Sequence, residues 1–352
     1  MKVVNITKEK TVQNFSTPYI IAEIGANHNG DMQLAKKMID AAVECGCDAV
    51  KFQSWTPDSI VSKEEYDRNQ RYNDSAKKHF GSLREMVDKY YLRTEQHYDL
   101  ESYCRQKNID FCSTPFTNRE VDLLEDLHVP FYKIASMDIN NYDFLAYVAQ
   151  KGKPVILSTG MSTLGEIETA IKVVNNAGND DIVLLHCISI YPPLYEDIHL
   201  NNITMLQQTF GYPVGFSDHT IGYSIPLASV ALGSCVIEKH FTLDKDLPGW
   251  DHEISANPEE MKIICQESHN IVKSLGNFKR TVSSAEIAKK DKFRRSAVAK
   301  IEINAGHIVS VNDLDFKRPG TGIQPEEIKY LIGRKVKSGI PEGELIKWEH
   351  FE

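Results

Sequence analysis

Residues 213–242, PVGFSDHTIGYSIPLASVALGSCVIEKHFT, decide the fold. PVGFSD is a short apolar run, IPLASVALGS is small and helical, and CVIEKHFT is a second, β-branched run. The three read as strand, helix and strand. Each strand ends in a histidine, His219 and His240. Consecutive parallel strands lie about 5 Å apart, so the spacing brings two imidazoles together at one end of a sheet. A lone histidine there would be an ordinary buried polar group. Two at matching strand ends, beside Ser217, Asp218, Glu238 and Lys239, point to a divalent-metal or catalytic site.

The same rhythm runs through most of the chain. YIIAEIG, AVKFQS, IDFCSTP, FYKIAS, PVILST and IVLLHCIS are further apolar strands, each followed by a helical segment. Thr117 with Glu120, and Thr163 with Glu166, have capping-box spacing. Asn257-Pro258 opens a long helix that ends at Gly276. Eight apolar strands alternating with helices require a parallel sheet covered on both faces. Eight such units over roughly 260 residues predict a closed (β/α)8 TIM barrel rather than an open doubly wound sheet. No GxGxxG follows the first strand, which disfavours a dinucleotide site. VVNITKEKTVQNF predicts a hairpin ahead of the barrel. The polar stretch 55–93 is too long for a plain connection and reads as a partly helical excursion over one end.

A chain of 352 residues exceeds the usual size of one core, so a second, smaller domain is expected. Residues 1–276 are assigned to the barrel and its hairpin. Residues 277–295, polar and charged, are assigned to a linker, and 296–352 to a small β-rich domain. In that last stretch AGHIV and EGELI each set a glycine turn before an apolar pair. So small a domain buries little core alone and is expected to dock on something larger. The net charge of −9 leaves no basic face for nucleic acid. No apolar run approaches a membrane span, and MKVVNITKEK lacks the core of a signal peptide. Seven cysteines without CxxC pairs predict reduced thiols and a cytoplasmic location.

In a barrel of this kind function lies at the carboxyl ends of the strands. Those ends carry Glu23, Lys51, Gln53, Ser113, Thr114, Lys133, Ser136, Ser158, Thr159, His186, Ser189, Tyr191 and Ser217, besides the two histidines. A lysine inside a barrel strand needs a counter-charge. Lys51 and Lys133 therefore either pair with Glu23 or Glu238 or, with the hydroxyls, cradle a phosphate and a carboxylate. The cradle is the preferred reading. With His219 and His240 holding a cation, the chemistry is metal-assisted reaction of a phosphorylated acid with a carbonyl.

GANHNGD after AEI, VKFQ, FCSTPF, FYKIAS, PVILSTGM, LLHC with IYPP, VGFSDHT, VIEKHFTLD and FKRPGTG occur in that order over nearly the whole chain. In them the chain resembles the N-acetylneuraminate (sialic acid) synthase family. The resemblance implies a (β/α)8 barrel with a C-terminal antifreeze-like (SAF) domain, in a homodimer where each C-terminal domain caps the partner's barrel. It implies condensation of phosphoenolpyruvate with an open-chain N-acyl amino-hexose, giving a nine-carbon 2-keto acid and phosphate. His219 and His240 match the metal ligands, for manganese or else magnesium or cobalt. Lys51, Thr114, Lys133, Ser136, Ser158 and Ser217 match the phosphoenolpyruvate contacts, and Glu23 matches a carboxylate of proton transfer. Asp251 and Tyr191 fall on the sugar side, and Arg318 would reach the other subunit's sugar. Three positions depart from the N-acetylneuraminate pattern: Asp138 stands for Glu, Ser189 for Asn, and Trp250 for Pro. The expected chemistry is thus kept, while the hexose is N-acetylmannosamine or a diacetamido-trideoxyhexose leading to legionaminic or pseudaminic acid. The rival readings are another metal-dependent deoxy-sugar acid synthase, an aldolase, or a non-catalytic sugar-binding protein.

Overall fold

The computed structural model describes residues 2–71 and 81–352. It divides into two compact units, Met1–Gly276 and Asn277–Glu352. The first begins with the expected hairpin, β1 (Val4–Asn5) paired antiparallel with β2 (Thr11–Val12). Eight strands follow: β3 (Tyr19–Gly25), β4 (Ala49–Ser54), β5 (Asp110–Pro115), β6 (Tyr132–Ile134), β7 (Val155–Ser158), β8 (Ile182–Cys187), β9 (Val214–Asp218) and β10 (Val236–His240). They form one parallel sheet in the spatial order β5-β4-β3-β10-β9-β8-β7-β6. β5 and β6, at the two ends of that order, also pack together. The ring is therefore nearly closed as a barrel, with no ladder across that one seam.

Side-chain alternation splits the strands between two cores. Outward residues such as Ile20, Ala22, Val50, Phe52, Leu157 and Leu184 pack under the helices. Inward residues such as Ile21, Ala49, Cys112, Ile156, Val183 and Val236 fill the barrel axis. Val4, Ile6 and Val12 of the hairpin belong to that axial core, so the hairpin stoppers the amino-terminal end. What remains open is the carboxyl end. All seven cysteines are free, with the Cys47 and Cys265 sulfurs 3.8 Å apart.

The long helix Pro258–Leu275 starts where the sequence predicts. Asn257 Oδ1 accepts from the Glu260 amide at 2.9 Å, and Glu260 Oε2 accepts from the Asn257 amide at 3.1 Å. The helix packs against Met32–Cys45 and Ser224–Ala231, joining the first and last strand-helix units. Asn257→Ala should lower stability by about 1 kcal/mol, read from urea denaturation, and no change would mean the cap is redundant. The excursion after β4 holds the helices Pro57–Ile60, Lys63–Arg68 and Leu83–Tyr90. Its portion at 72–80 lies outside the described residues. Among the described residues no helix is long and apolar enough to cross a membrane.

In the second unit β11 (Ser296–Ala299) pairs with β12 (Leu314–Lys317), and the remaining β structure is single bridges such as Ile303 with Ile340. The repeated turns are real: Gly306 and Gly343 both take positive φ, 89° and 81°. Residues 277–295, read as a linker, belong instead to this unit. They hold the short helices Ser284–Ile287 and Lys290–Phe293. The Gly320 amide donates to the Asp291 carbonyl at 2.7 Å, and Arg318 lies 5.0 Å over the Phe293 ring.

Candidate active site

Strand register sets the site. His240 of β10 lies abreast of Glu23 on β3, and Glu23 abreast of Lys51 on β4. Residues abreast in a parallel sheet share a face, so the three side chains enter the open mouth side by side. Glu238, two residues before His240, shares its face and lies abreast of Ser217 on β9. Intervening residues face the other way. Lys239 and Asp218, also abreast, form a fully buried 2.6 Å ion pair, with Lys239 also bonded to the Thr220 carbonyl. These two, counted with the site on sequence spacing alone, are structural.

Inside the mouth the anionic and cationic groups interlock. Lys51 Nζ is 2.8 Å from Glu23 Oε2, 3.7 Å from Glu238 Oε2, and donates to Thr114 Oγ1 at 3.2 Å. Lys133 Nζ donates to Ser158 Oγ at 2.6 Å and lies 3.8 Å from Glu238 Oε1. Ser217 Oγ donates to Glu238 Oε1 at 3.0 Å. The two sequence readings of the lysines, ion pair or cradle, are therefore not exclusive. The preferred reading is corrected in this respect: both lysines hold carboxylates as well as hydroxyls.

Burial and neighbours pull these groups apart. Burial lifts Glu23, Lys51 opposes it, Glu238 adds to it, and the carboxyl ends near about 7. For Glu238 burial is outweighed by Lys133 and Lys51, and the carboxyl is held below its usual range. Lys51 is raised, since Glu23 and Glu238 overcome its burial, whereas burial lowers Lys133. One carboxyl poised near neutrality beside one held ionised is an acid-base arrangement.

The two imidazoles lie beside this cluster, their ring centroids 5.5 Å apart, with the Tyr191 ring 4.0 Å from His219. Burial lowers the pKa of both, so both rings are neutral. His219 Nδ1 meets the Ile188 carbonyl at 2.7 Å. The proton belongs on that nitrogen, which leaves Nε2 a free lone pair. His240 Nδ1 is buried without a hydrogen-bond partner, 3.9 Å from Asp251 Oδ2. Two neutral donors, one of them orphaned, fit a divalent cation completed by water or substrate. Among the described residues no group of three or more His, Cys, Asp or Glu side chains is arranged to hold an ion.

Ser136 and Ser189 meet elsewhere in the mouth, around Gly160. Ser136 Oγ accepts from the Gly160 amide at 3.0 Å and contacts Cys187 Sγ at 3.1 Å. A Cβ on Gly160 would fall 2.4 Å from Ser189 Oγ, 2.7 Å from Ser136 Oγ and 2.9 Å from Cys187 Sγ, so only glycine fits. Asp138 sits in the turn Ser136–Asp138; burial raises it to about 6. Its Oδ2 is buried without a hydrogen-bond partner and is not bonded to the lysine cluster. Arg318 lies in the second unit. Sequence reading gave no role to Gln53, which donates to Glu23 Oε1 at 3.0 Å, or to Cys187. Gln53 lies two residues past Lys51, a spacing that marks the same strand face.

Above the cluster opens a cavity of about 570 Å³ that includes His240, Asp251, Tyr191, Gln53 and Trp250 in its lining. A larger cleft, about 1080 Å³, lies at the opposite rim around Lys10, Asp48 and Asp110. It holds none of the strand carboxyl ends, where barrel chemistry resides.

The fold and this mouth are those of a barrel enzyme with a cluster of lysines, carboxylates and histidines at the carboxyl ends of its strands. The chain belongs to the NeuB family, whose model matches residues 38–280, and a SAF domain matches 294–352. It is 45% identical over 331 residues to an uncharacterized protein of Methanocaldococcus jannaschii, covering 94% of each chain. It is 41% identical over 344 residues to the N,N'-diacetyllegionaminic acid synthase of Legionella pneumophila, covering 96% of this chain and 95% of that one. Among solved structures it is similar to the N-acetylneuraminic acid synthetase of Leptospira borgpetersenii in complex with citrate. That likeness has a TM-score of 0.71 at 34% identity, over 82% of this chain and 95% of the other.

Proposed function

We propose that the protein condenses phosphoenolpyruvate with an open-chain N-acyl amino-hexose, and that a 2,4-diacetamido-trideoxyhexose is the acceptor it prefers. The observation that carries the reaction is the lysine-carboxylate cluster lying beside two neutral histidines, their rings 5.5 Å apart, at one barrel mouth. The sugar reading rests on the 41% identity to a diacetyllegionaminic acid synthase and on Asp138, Ser189 and Trp250, which depart from the N-acetylneuraminate pattern.

Lys51 and Lys133 bind the phosphate and carboxylate, with Thr114, Ser136, Ser158 and Ser217 supplying neutral donors. The methylene carbon of phosphoenolpyruvate bonds to the aldehyde carbon, whose oxygen takes a proton. Water then adds to the cationic carbon 2 and gives up a proton. Finally the carbon 2 hydroxyl gives its proton to the departing phosphate oxygen as the bond from carbon 2 to that oxygen breaks, leaving a ketone and inorganic phosphate. Glu23, raised toward neutrality and bonded to Gln53, would take the proton of that water. His219 and His240 would hold the divalent cation, manganese by the family resemblance, and when bound it polarises the aldehyde. Asp251 and Tyr191 would orient the sugar.

The second unit is proposed to bring Arg318 to a partner's site in a homodimer. In support, Met137, Met161, Ile190, Tyr191, Tyr195 and Ile221, on successive loops around the mouth, are exposed in the single chain, an apolar surface suited to being covered. A cytoplasmic location accords with seven unpaired cysteines.

The test is incubation with phosphoenolpyruvate, manganese and a panel of hexosamines and diacetamido-hexoses, recording phosphate release and product mass. A nine-carbon acid should form, activity should vanish on chelation, and manganese should restore it. Undiminished turnover after exhaustive chelation would remove the cation, and no product with any sugar would remove the synthase reading.

A further inference from the structure

Two buried side chains adjoin the histidine pair in sequence but face away from the mouth. Asp218 ends β9 immediately before His219, and Lys239 precedes His240, the last residue of β10. Register sets the two abreast. Lys239 Nζ donates to Asp218 Oδ2 at 2.6 Å, and both side chains are wholly buried. Thr220, on the far side of His219, joins the same knot. Its amide donates to Asp218 Oδ1 and its hydroxyl to Asp218 Oδ2, both at 3.0 Å, while its carbonyl accepts from Lys239. His219 is thus bracketed on both sides, and the bracket is tied to the residue next to His240.

A buried ion pair is weak evidence of stabilisation, since well-packed apolar residues of similar volume often serve as well. This one has a second consequence. His240 is fixed in the ladder between β10 and β3, abreast of Glu23. The ladder between β9 and β10 stops at Asp218, so His219 lies beyond it. What holds His219 is the knot at Asp218 and Thr220, together with the bond from its Nδ1 to the Ile188 carbonyl at 2.7 Å. A site with two protein ligands needs both rings held to within about 0.5 Å. We propose that Asp218, Lys239 and Thr220 are positioning residues for the histidine pair: their knot fixes His219 relative to His240 and so sets the affinity for the divalent cation. The proposal rests on the cation reading above and adds to it the side chains that hold its ligands in place.

The test measures manganese binding by electron paramagnetic resonance of the free ion, with the full-length protein and phosphoenolpyruvate present. Asp218→Asn/Lys239→Met breaks the link between the strands without stranding a charge, and a cooperative melt of the metal-free protein shows that it folds. Thr220→Val keeps the shape and the ion pair and removes only the hydroxyl bond, which Thr220→Ser restores. The double variant should weaken binding roughly 10- to 100-fold, the usual worth of support behind a metal ligand. Thr220→Val should weaken it severalfold, and Thr220→Ser should stay near wild type. Phosphate release should fall in parallel and recover at raised manganese, a response that lost stability alone does not give. Wild-type affinity in Thr220→Val, or in the double variant once folded, overturns the positioning role. No binding by wild type, or binding undiminished in His219→Ala, removes the cation site beneath it. Binding at the histidines without phosphate release from any sugar removes the condensation and leaves the positioning role standing.

Discussion

In a Lys51→Met variant, phosphate release from phosphoenolpyruvate should fall below detection, and urea denaturation should show a loss of about 3–5 kcal/mol. Both effects have one cause. Lys51 is almost wholly buried, 2.8 Å from Glu23 and 3.7 Å from Glu238. Methionine fills the space but leaves two buried carboxyls facing each other with only Lys133 near Glu238. Breaking a buried pair by removing one partner is costly because the other charge stays in the low-dielectric interior. The double variant Lys51→Met/Glu23→Gln removes the stranded charge, so it should recover most of the stability and none of the activity. If the single variant is as stable as wild type, the lysine is not holding the cluster together. If the double variant turns over, it is not the anion ligand.

Glu23→Gln should lower kcat by about 10²–10⁴-fold, the usual worth of a positioned acid-base group, with the fold intact. Wild-type kcat should climb with pH through about 7, where Glu23 titrates, and the variant should lose that limb. The same group makes a prediction for stability in the substrate-free protein. Its pKa is raised in the folded state from 4.5 to about 7. Folded protein therefore binds more protons than unfolded protein between those values, and stability from this site is lost as pH rises through them. Relative to wild type, the melting temperature of Glu23→Gln should improve from pH 4.5 to about 7 and then level off. An unchanged kcat, or a limb near 7 that persists in the variant, would remove Glu23 from the proton transfer.

The barrel was legible because its signals are local. Apolar runs, capping residues and helix starts act within a few positions, and the helix at Pro258–Leu275 begins where Asn257-Pro258 says it must. The histidine pair was legible for the same reason, since a strand-helix-strand unit dictates which residues end adjacent strands. Gly160 was not, because its need for a bare Cα arises from Ser136 and Ser189, on the loops after β6 and β8, and from Cys187 at the end of β8. Nor was the state of Lys51 and Lys133, since a counter-charge from β3 or β10 depends on register between strands distant in sequence.

Sequence alone determined the alternation of strand and helix, the two-unit division near residue 276, and the set of side chains at the strand ends. Tertiary structure alone decided which of those side chains face the mouth and which face the helix layer: Glu238 turns inward to both lysines, while its neighbour Lys239 is sealed against Asp218. It also decided that the excursion after β4 contributes an apolar wall to the cavity. The physical reason is that periodicity names a residue's face, but only the closing of the sheet says what that face meets, and burial with its partners sets each group's charge.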